Sequence, residues 1–204
     1  MAELDLLDWR RRVAELYARV RTCRDDDPLA AHDDWCTTRD RLFGSHPETP
    51  LNDPTGFAGL SYAPYDRSFV WDAEVDTDLE RDRYPVATSG GDEMAFIRFG
   101  QVTLPVGTLD VFWLDAYGGG VFVPFRDATA GAQTYEGGRY LLDTVKGADL
   151  GATADGRLIL DFNFAYHPSC HYSPQWSCPL APPGNTLDVG IPVGELRYAT
   201  THGG

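Results

Sequence analysis

The chain has 204 residues, with 17 lysines and arginines against 31 aspartates and glutamates, so its formal net charge is −14. This length fits one domain with a single core, and 43% hydrophobic with 24% charged residues is typical of a globular protein. The acidic excess excludes a protein that tracks nucleic-acid phosphates or an anionic membrane surface, because both need clustered lysine and arginine. We therefore expect neither nucleic acid nor a membrane as a partner.

The N-terminus lacks the features of an export signal. Residues 1–8 are acidic where a signal peptide is basic, and no apolar run follows them. No stretch is long and apolar enough to cross a membrane. We expect a cytoplasmic protein whose four cysteines, Cys23, Cys36, Cys170 and Cys178, are free thiols or ligands rather than a disulfide framework.

Two helices are predicted in the first quarter of the chain. Apolar residues from Leu6 to Val20 recur at three- and four-residue spacing and form one stripe. The second helix is predicted over Pro28–Phe43, since proline suits a first helical turn and a glycine follows. Its predicted inward positions are Leu29, His32, Cys36 and Phe43. Residues 47–66 predict an ordered but irregular wrap over a core.

After Arg67 the pattern becomes one of short strands bounded by glycine, proline and aspartate. The predicted strands are Ser68–Val75, Met94–Thr103, Thr108–Asp115, Val121–Arg126, Arg139–Val145 and Leu158–Phe164. Strands at this spacing without intervening helices favour a mainly β fold, an antiparallel barrel or sandwich with the N-terminal helical segment packed against it. We expect residues 1–66 (helices and wrap) and 67–204 (β-rich body) to fold as one cooperative domain.

A proline-rich loop near the C-terminus carries four side chains able to do chemistry: His167, Cys170, His171 and Cys178. Together they offer two nitrogens and two sulfurs, a set that suits Zn²⁺, copper or iron. A second interpretation makes a cysteine a nucleophile whose thiolate fraction is raised by a neighbouring histidine. The third is structural: a disulfide staple or two small buried side chains that hold the loop. The sequence leaves all three open.

Two arginines, Arg126 and Arg139, occupy facing ends of consecutive predicted strands. Two guanidinium groups so placed form a fork for a carboxylate or another anion. The structural alternative in this acidic chain is ion pairing, of Arg126 with Asp127 or Asp143 and of Arg139 with Glu136 or Asp161.

The leading functional hypothesis is a small-molecule enzyme whose pocket lies at the strand ends and binds an anionic substrate; the reaction is not predicted. The expected catalytic residues are Cys170, His167, His171 and Tyr166, with a histidine moving the proton. The expected substrate-binding residues are Arg126, Arg139, Tyr135, Tyr140, Asp161 and Asn163. The alternatives are a metal-binding protein using the Cys/His loop and a ligand-binding or structural β-module without catalysis.

Several stretches resemble DUF1684, a bacterial family of uncharacterised proteins, from about Arg39 to Glu195. The residues that carry the resemblance are Phe57-Ala58-Gly59-Leu60, Pro124-Phe125-Arg126-Asp127, Gly137-Gly138-Arg139-Tyr140, Asp161-Phe162-Asn163, Cys170, and Cys178-Pro179-Leu180. His167 and His171 depart from the family pattern, which argues against a family-wide metal site. The resemblance implies no activity. It implies a Cys170–Cys178 disulfide in exported relatives, and for an intracellular copy we predict reduced thiols.

Overall fold

The computed structural model describes residues 2–115 and 117–198. Residue 1 of the predicted N-terminal part therefore lies outside the described residues. Residues 116 and 199–204 of the predicted β-rich body also lie outside them. Two helices open the chain, α1 over Ala2–Cys23 and α2 over Pro28–Ser45. The Asp27 carboxylate accepts the Ala30 N–H at 3.0 Å and fixes the start of α2. Neither helix is both long and apolar enough to span a membrane.

The prediction for the inward face of α2 is partly wrong. His32 and Phe43 are buried, but Leu29 is 64% exposed. The buried positions of α2 are Ala31, His32, Trp35, Thr38, Leu42 and Phe43. Leu29 lies in the first turn on the side away from this face, so one apolar residue alone misled the assignment.

In the described part of the chain, nine strands follow the helices. They are β1 Ser61–Tyr62, β2 Val70–Ala73, β3 Asp82–Ala87, β4 Glu93–Leu104, β5 Gly107–Leu114, β6 Val121–Phe125, β7 Arg139–Asp143, β8 Leu158–Asp161 and β9 Glu195–Leu196. β3 to β7 form a five-stranded antiparallel sheet in chain order, while β1 pairs with β9 and β2 pairs with β8. The mainly β, antiparallel prediction is confirmed. Within residues 2–115 and 117–198 the large sheet stays open, with β3 and β7 at its edges, so no closed barrel forms.

One hydrophobic cluster connects the helices to the strands. It contains Leu16 of α1 and Trp35 of α2 together with Val111, Phe125 and Leu160. The Trp35 indole N–H donates to the Tyr17 hydroxyl at 3.2 Å, which satisfies a buried polar group between the helices. The helices are therefore part of the core, and the chain after β8 runs between them and the edge of the sheet.

Candidate functional site

The segment after β8 is held by two other strands. Tyr166 exchanges backbone hydrogen bonds with Tyr140 of β7, at 2.8 and 3.1 Å. The Glu195 N–H of β9 donates to the Ala165 carbonyl at 2.9 Å. A short 3-10 turn, Ser169–His171, follows and carries Cys170. Strands distant in sequence thus fix the start of the predicted Cys/His loop.

A fully buried carboxylate, Glu195, joins this segment to α2. Arg39 Nη2 donates to Glu195 Oε2 at 2.6 Å, and the His167 backbone N–H donates to the same oxygen at 3.1 Å. The Tyr172 hydroxyl donates to Oε1. Burial alone would raise the pKa of Glu195, but the Arg39 charge, with help from His167 and Tyr172, lowers this pKa to about 2. Glu195 is therefore ionised at neutral pH.

The two loop histidines contact each other, with ring centroids 4.3 Å apart. Nε2 of His167 accepts the Tyr135 backbone N–H at 3.1 Å, and Nε2 of His171 accepts the Tyr198 N–H at 3.2 Å. Because Nε2 of each ring accepts a hydrogen bond, each ring carries a proton on Nδ1. Burial, reinforced by the neighbouring His167, lowers the pKa of His171 to about 4. His171 is thus neutral near pH 7, and both imidazoles use Nε2 to accept backbone hydrogen bonds.

The two loop cysteines are free thiols, and each shifts the pKa of the other. Cys178 is buried and Cys170 is half-buried. The hydrogen bond between the Cys178 thiol and Cys170 has the largest effect and, against burial, lowers the pKa of Cys170 to about 6; the Ser89 and Tyr135 hydroxyls contribute in the same direction. The same contact and burial raise the pKa of Cys178. Of the two thiols, the more exposed one is therefore the easier to ionise.

Tyr135 lies between the thiols and the histidines. Its hydroxyl is 3.8 Å from Cys170 Sγ, and its ring centroid is 5.0 Å from that of His171. The structure therefore gathers five predicted residues in one place: Tyr135, His167, Cys170, His171 and Cys178. Tyr140 and Tyr166 border this group. The Tyr140 hydroxyl donates to the Pro179 carbonyl at 2.6 Å.

Arg139 is engaged inside the protein. It is 1% exposed, and its Nη2 donates to Asp127 Oδ2 and to the Ile191 carbonyl, both at 2.8 Å. Nη1 donates to the Val193 carbonyl. An anion would have to displace Asp127 to reach this guanidinium, so the structure lends no support to the anion fork. The guanidinium instead ties β7 to residues 191–193.

Arg126 lies one residue beyond β6 and pairs through its backbone with the segment 185–187. Its N–H donates to the Asn185 carbonyl and its carbonyl accepts the Leu187 N–H, each at 2.8 Å. In the part of the chain that the structure describes, Arg126 forms no ion pair with Asp127 or Asp143. Its side chain is half-buried.

Asp161 and Asn163 are buried tethers for the irregular wrap. The Asn163 amide donates to the Asp66 carbonyl at 2.9 Å and accepts the Asp66 N–H at 2.8 Å. Asp161 accepts the Asn163 N–H at 3.0 Å and the Tyr65 hydroxyl at 3.2 Å. Burial raises the pKa of Asp161 in spite of these bonds. Both side chains therefore use their polar groups in hydrogen bonds that attach the wrap to the end of β8.

The four proposed metal ligands do not form a metal site in this structure. Among the described residues, no group of three or more histidine, cysteine or acidic side chains is placed to hold a metal ion. The Nε2 atoms of His167 and His171 accept backbone N–H groups, so these two nitrogens are not free to bind a metal ion. The pair of free thiols, Cys170 and Cys178, is thus the feature of the loop that suggests chemistry.

The Arg39–Glu195 pair is not predicted from the sequence. These residues are 156 positions apart, and Glu195 lies in a two-residue strand without a pattern of its own. A signal did exist for Arg39: it continues the helical stripe of His32, Cys36 and Phe43, where a charged residue needs a buried partner.

The chain is similar to one described protein family and to a solved structure. Residues 55–196 match the sequence profile described as "Protein of unknown function (DUF1684)". A solved relative is the uncharacterized protein from gene locus rrnAC0354 of Haloarcula marismortui, determined by solution NMR. It is 28% identical, the match covers 88% of this chain and 98% of that one, and the TM-score is 0.59. No curated protein matches the chain.

Proposed function

The chain belongs to the DUF1684 family, and we propose that this member is a thiol-dependent enzyme that acts on a small disulfide-containing molecule with Cys170 as the nucleophile. The observation that carries the proposal is a pair of free thiols, half-buried Cys170 and buried Cys178, which lie close enough for each to shift the pKa of the other, with Cys170 Sγ 3.8 Å from the Tyr135 hydroxyl. One exposed thiolate beside one buried, protonated thiol is the arrangement that thiol–disulfide exchange requires.

The thiolate needs no general base in this proposal. With the pKa of Cys170 at about 6, roughly nine-tenths of the sulfur is ionised at pH 7. Cys178 and the Tyr135 hydroxyl both lower the pKa of Cys170 and so stabilise its thiolate. His167 and His171, whose Nε2 atoms accept backbone hydrogen bonds, form a wall beside Tyr135 rather than moving a proton.

The reaction proceeds in two balanced exchanges. The Cys170 thiolate attacks one sulfur of a substrate R–S–S–R, forming a mixed disulfide and releasing RS⁻. The Cys178 thiol then loses its proton to the released thiolate and attacks Cys170 Sγ, which expels the second RS⁻ and leaves a Cys170–Cys178 disulfide. Two electrons pass from the protein to the substrate, and a cellular dithiol restores the protein. This chemistry needs a reducing compartment, in agreement with the expected cytoplasmic location.

The charge of the substrate is not part of the proposal. The anionic-substrate hypothesis depended on Arg126 and Arg139, and the latter is occupied by Asp127. Hydroxyethyl disulfide, a small neutral disulfide, is therefore a suitable first probe.

Trapping of the mixed disulfide tests the proposal. Reduced Cys178→Ser protein exposed to hydroxyethyl disulfide should gain one mercaptoethanol adduct on Cys170, while the wild type should instead lose two hydrogens and show a Cys170–Cys178 linkage by peptide mass spectrometry. Cys36→Ser is the matched control, because Cys36 is also half-buried but burial raises its pKa to about 12. The control should behave as the wild type does.

Turnover completes the test. With excess dithiothreitol, the wild type should reduce the probe faster than the uncatalysed reaction, and Cys170→Ser should show no acceleration. Equal labelling of Cys170 and Cys36, or acceleration that survives Cys170→Ser, would overturn the proposal in favour of the non-catalytic β-module.

A further inference from the structure

A cavity separate from the two thiols lies between the helices and the edge of the sheet. It encloses about 80 Å³, and Cys170 and Cys178 are not among its lining residues. α1 contributes Trp9, Val13 and Tyr17 at four-residue spacing, so three successive turns of the helix present one wall. One water molecule needs about 10–15 Å³ of such cavity volume, so this cavity has room for a small organic molecule.

Two cationic side chains line the cavity, and each has an acidic partner outside the lining: Glu195 for Arg39, and Asp143, whose Oδ2 is 3.8 Å from Lys146 Nζ. Arg39 lies inside and Lys146 lines it from the 3-10 turn after β7, while none of the described lining residues is an aspartate or a glutamate. This is unusual in a chain with 31 acidic and 17 basic residues. Lys146 is also the only lysine in the whole sequence.

Arg39 has donors to spare. Its Nη2 donates to Glu195, but Nε is buried without a partner. The guanidinium carbon lies 4.8 Å from the ring centroid of Trp35 and 5.1 Å from that of Tyr166. Aromatic faces hold the group rigidly without using its N–H donors. Because a guanidinium has five N–H donors, the single carboxylate of Glu195 leaves it capable of binding another anion.

The mainly apolar lining of the cavity favours one kind of anion over another. Apart from the two cations, the lining is rich in aromatic and aliphatic side chains: Trp9, Val13, Phe43, Pro50, Tyr140, Ala148, Tyr166 and Tyr172. A strongly hydrated dianion such as phosphate would lose its water without compensation from such walls. A carboxylate is planar, pairs well with a guanidinium, and can carry an apolar body that these walls would cover.

We propose that this cavity is a binding site for small organic monocarboxylates. Arg39 inside the cavity and Lys146 at its entrance would hold the carboxylate. Lys146 suits the entrance because its side chain is 52% exposed, whereas that of Arg39 is 11% exposed. The proposal does not depend on the thiol chemistry of Cys170, since the two sulfurs lie outside the cavity.

Calorimetric titration of the full-length protein with benzoate and with propionate tests this site. We expect saturable binding of at least one of them, no binding of the neutral analogue benzamide, and weaker binding of inorganic phosphate. Lys146→Met should weaken carboxylate binding about fivefold, while Arg157→Met is the matched control, because the Arg157 side chain is 51% exposed and lies outside the cavity lining.

A second variant and a chemical readout keep the test independent of Lys146. Val13→Phe should fill the cavity and abolish binding, and in the wild type the bound carboxylate should slow acylation of Lys146, which peptide mass spectrometry reads at a single lysine. Cys170→Ser should bind carboxylates normally, so this proposal and the thiol proposal fail separately. Equal binding of benzamide and benzoate, tighter binding of phosphate, or unchanged binding in Val13→Phe would overturn it.

Discussion

Replacement of Arg39 by methionine should destabilise the protein by about 3–5 kcal/mol at pH 7, because it leaves the Glu195 carboxylate buried and without its cation. The structure gives a consistent magnitude. The pKa of Glu195 falls from an ordinary 4.5 to about 2 in the folded protein. This shift of about 2.5 pKa units corresponds to about 3–4 kcal/mol at about 1.4 kcal/mol per pKa unit.

The pH dependence identifies the cause. Because the folded-state pKa of Glu195 lies below its unfolded value, this stabilisation is complete above pH 4.5 and is lost as the pH falls from 4.5 towards 2. Without Arg39 the carboxyl group protonates more easily in the folded state, so the difference between wild type and Arg39→Met should narrow in acid.

Urea unfolding at pH 7 and at pH 3.5 measures both free energies. The double variant Arg39→Met/Glu195→Gln, which removes both charges, should recover more than half of the loss at pH 7. A loss below about 1 kcal/mol, or a loss that is the same at both pH values, would refute the assignment of Arg39 and Glu195 as a buried ion pair.

Three further predictions concern stability. Arg139→Lys should lower the free energy of unfolding in urea by about 2–4 kcal/mol, since lysine cannot reach Asp127 and the carbonyls together; an unchanged value would mean that these contacts contribute little. His171, neutral in the folded protein with a pKa of about 4 against an ordinary 6.5, makes stability fall as the pH drops from 6.5 to 4. His171→Gln should flatten that part of the pH–stability curve, and an equally steep curve would contradict the role of His171. Deletion of residues 2–20 should lower the melting temperature and expose surface to a hydrophobic dye, because Leu16, Tyr17 and Val20 are buried; an equally stable truncated protein would contradict the packing role of α1.

The fold was predictable where local signals agree. The Asp27 cap and the proline after it mark the start of α2, and each of the six predicted strands overlaps an observed one. β3 was missed because Pro85 and its charged neighbours are unlike an interior strand, and the structure places it at the edge of the sheet, where they are tolerated. The strand predicted to run to Phe164 ends at Asp161, whose side chain accepts the Asn163 N–H and starts a 3-10 turn.

The candidate site was predictable only where it is local in sequence. The thiols and histidines lie within twelve residues, so their composition alone drew attention to them. The sequence could not show that the backbone N–H of Tyr135 donates to Nε2 of His167, a contact that occupies one nitrogen of this expected base. Nor could the sequence choose Asp127 as the partner of Arg139 over nearer acidic residues, because that pairing depends on how β7 packs.

The pH dependence of Cys170 alkylation is the most direct test of the central claim, which is that Cys170 is a stabilised thiolate. Iodoacetamide labelling followed by peptide mass spectrometry should give a midpoint near pH 6 in the wild type. Cys178→Ala, which removes the donor, should move the midpoint upward, and Cys178→Ser, which keeps a donor, should move it less. A wild-type midpoint near 9, or one that Cys178→Ala leaves unchanged, would contradict the account.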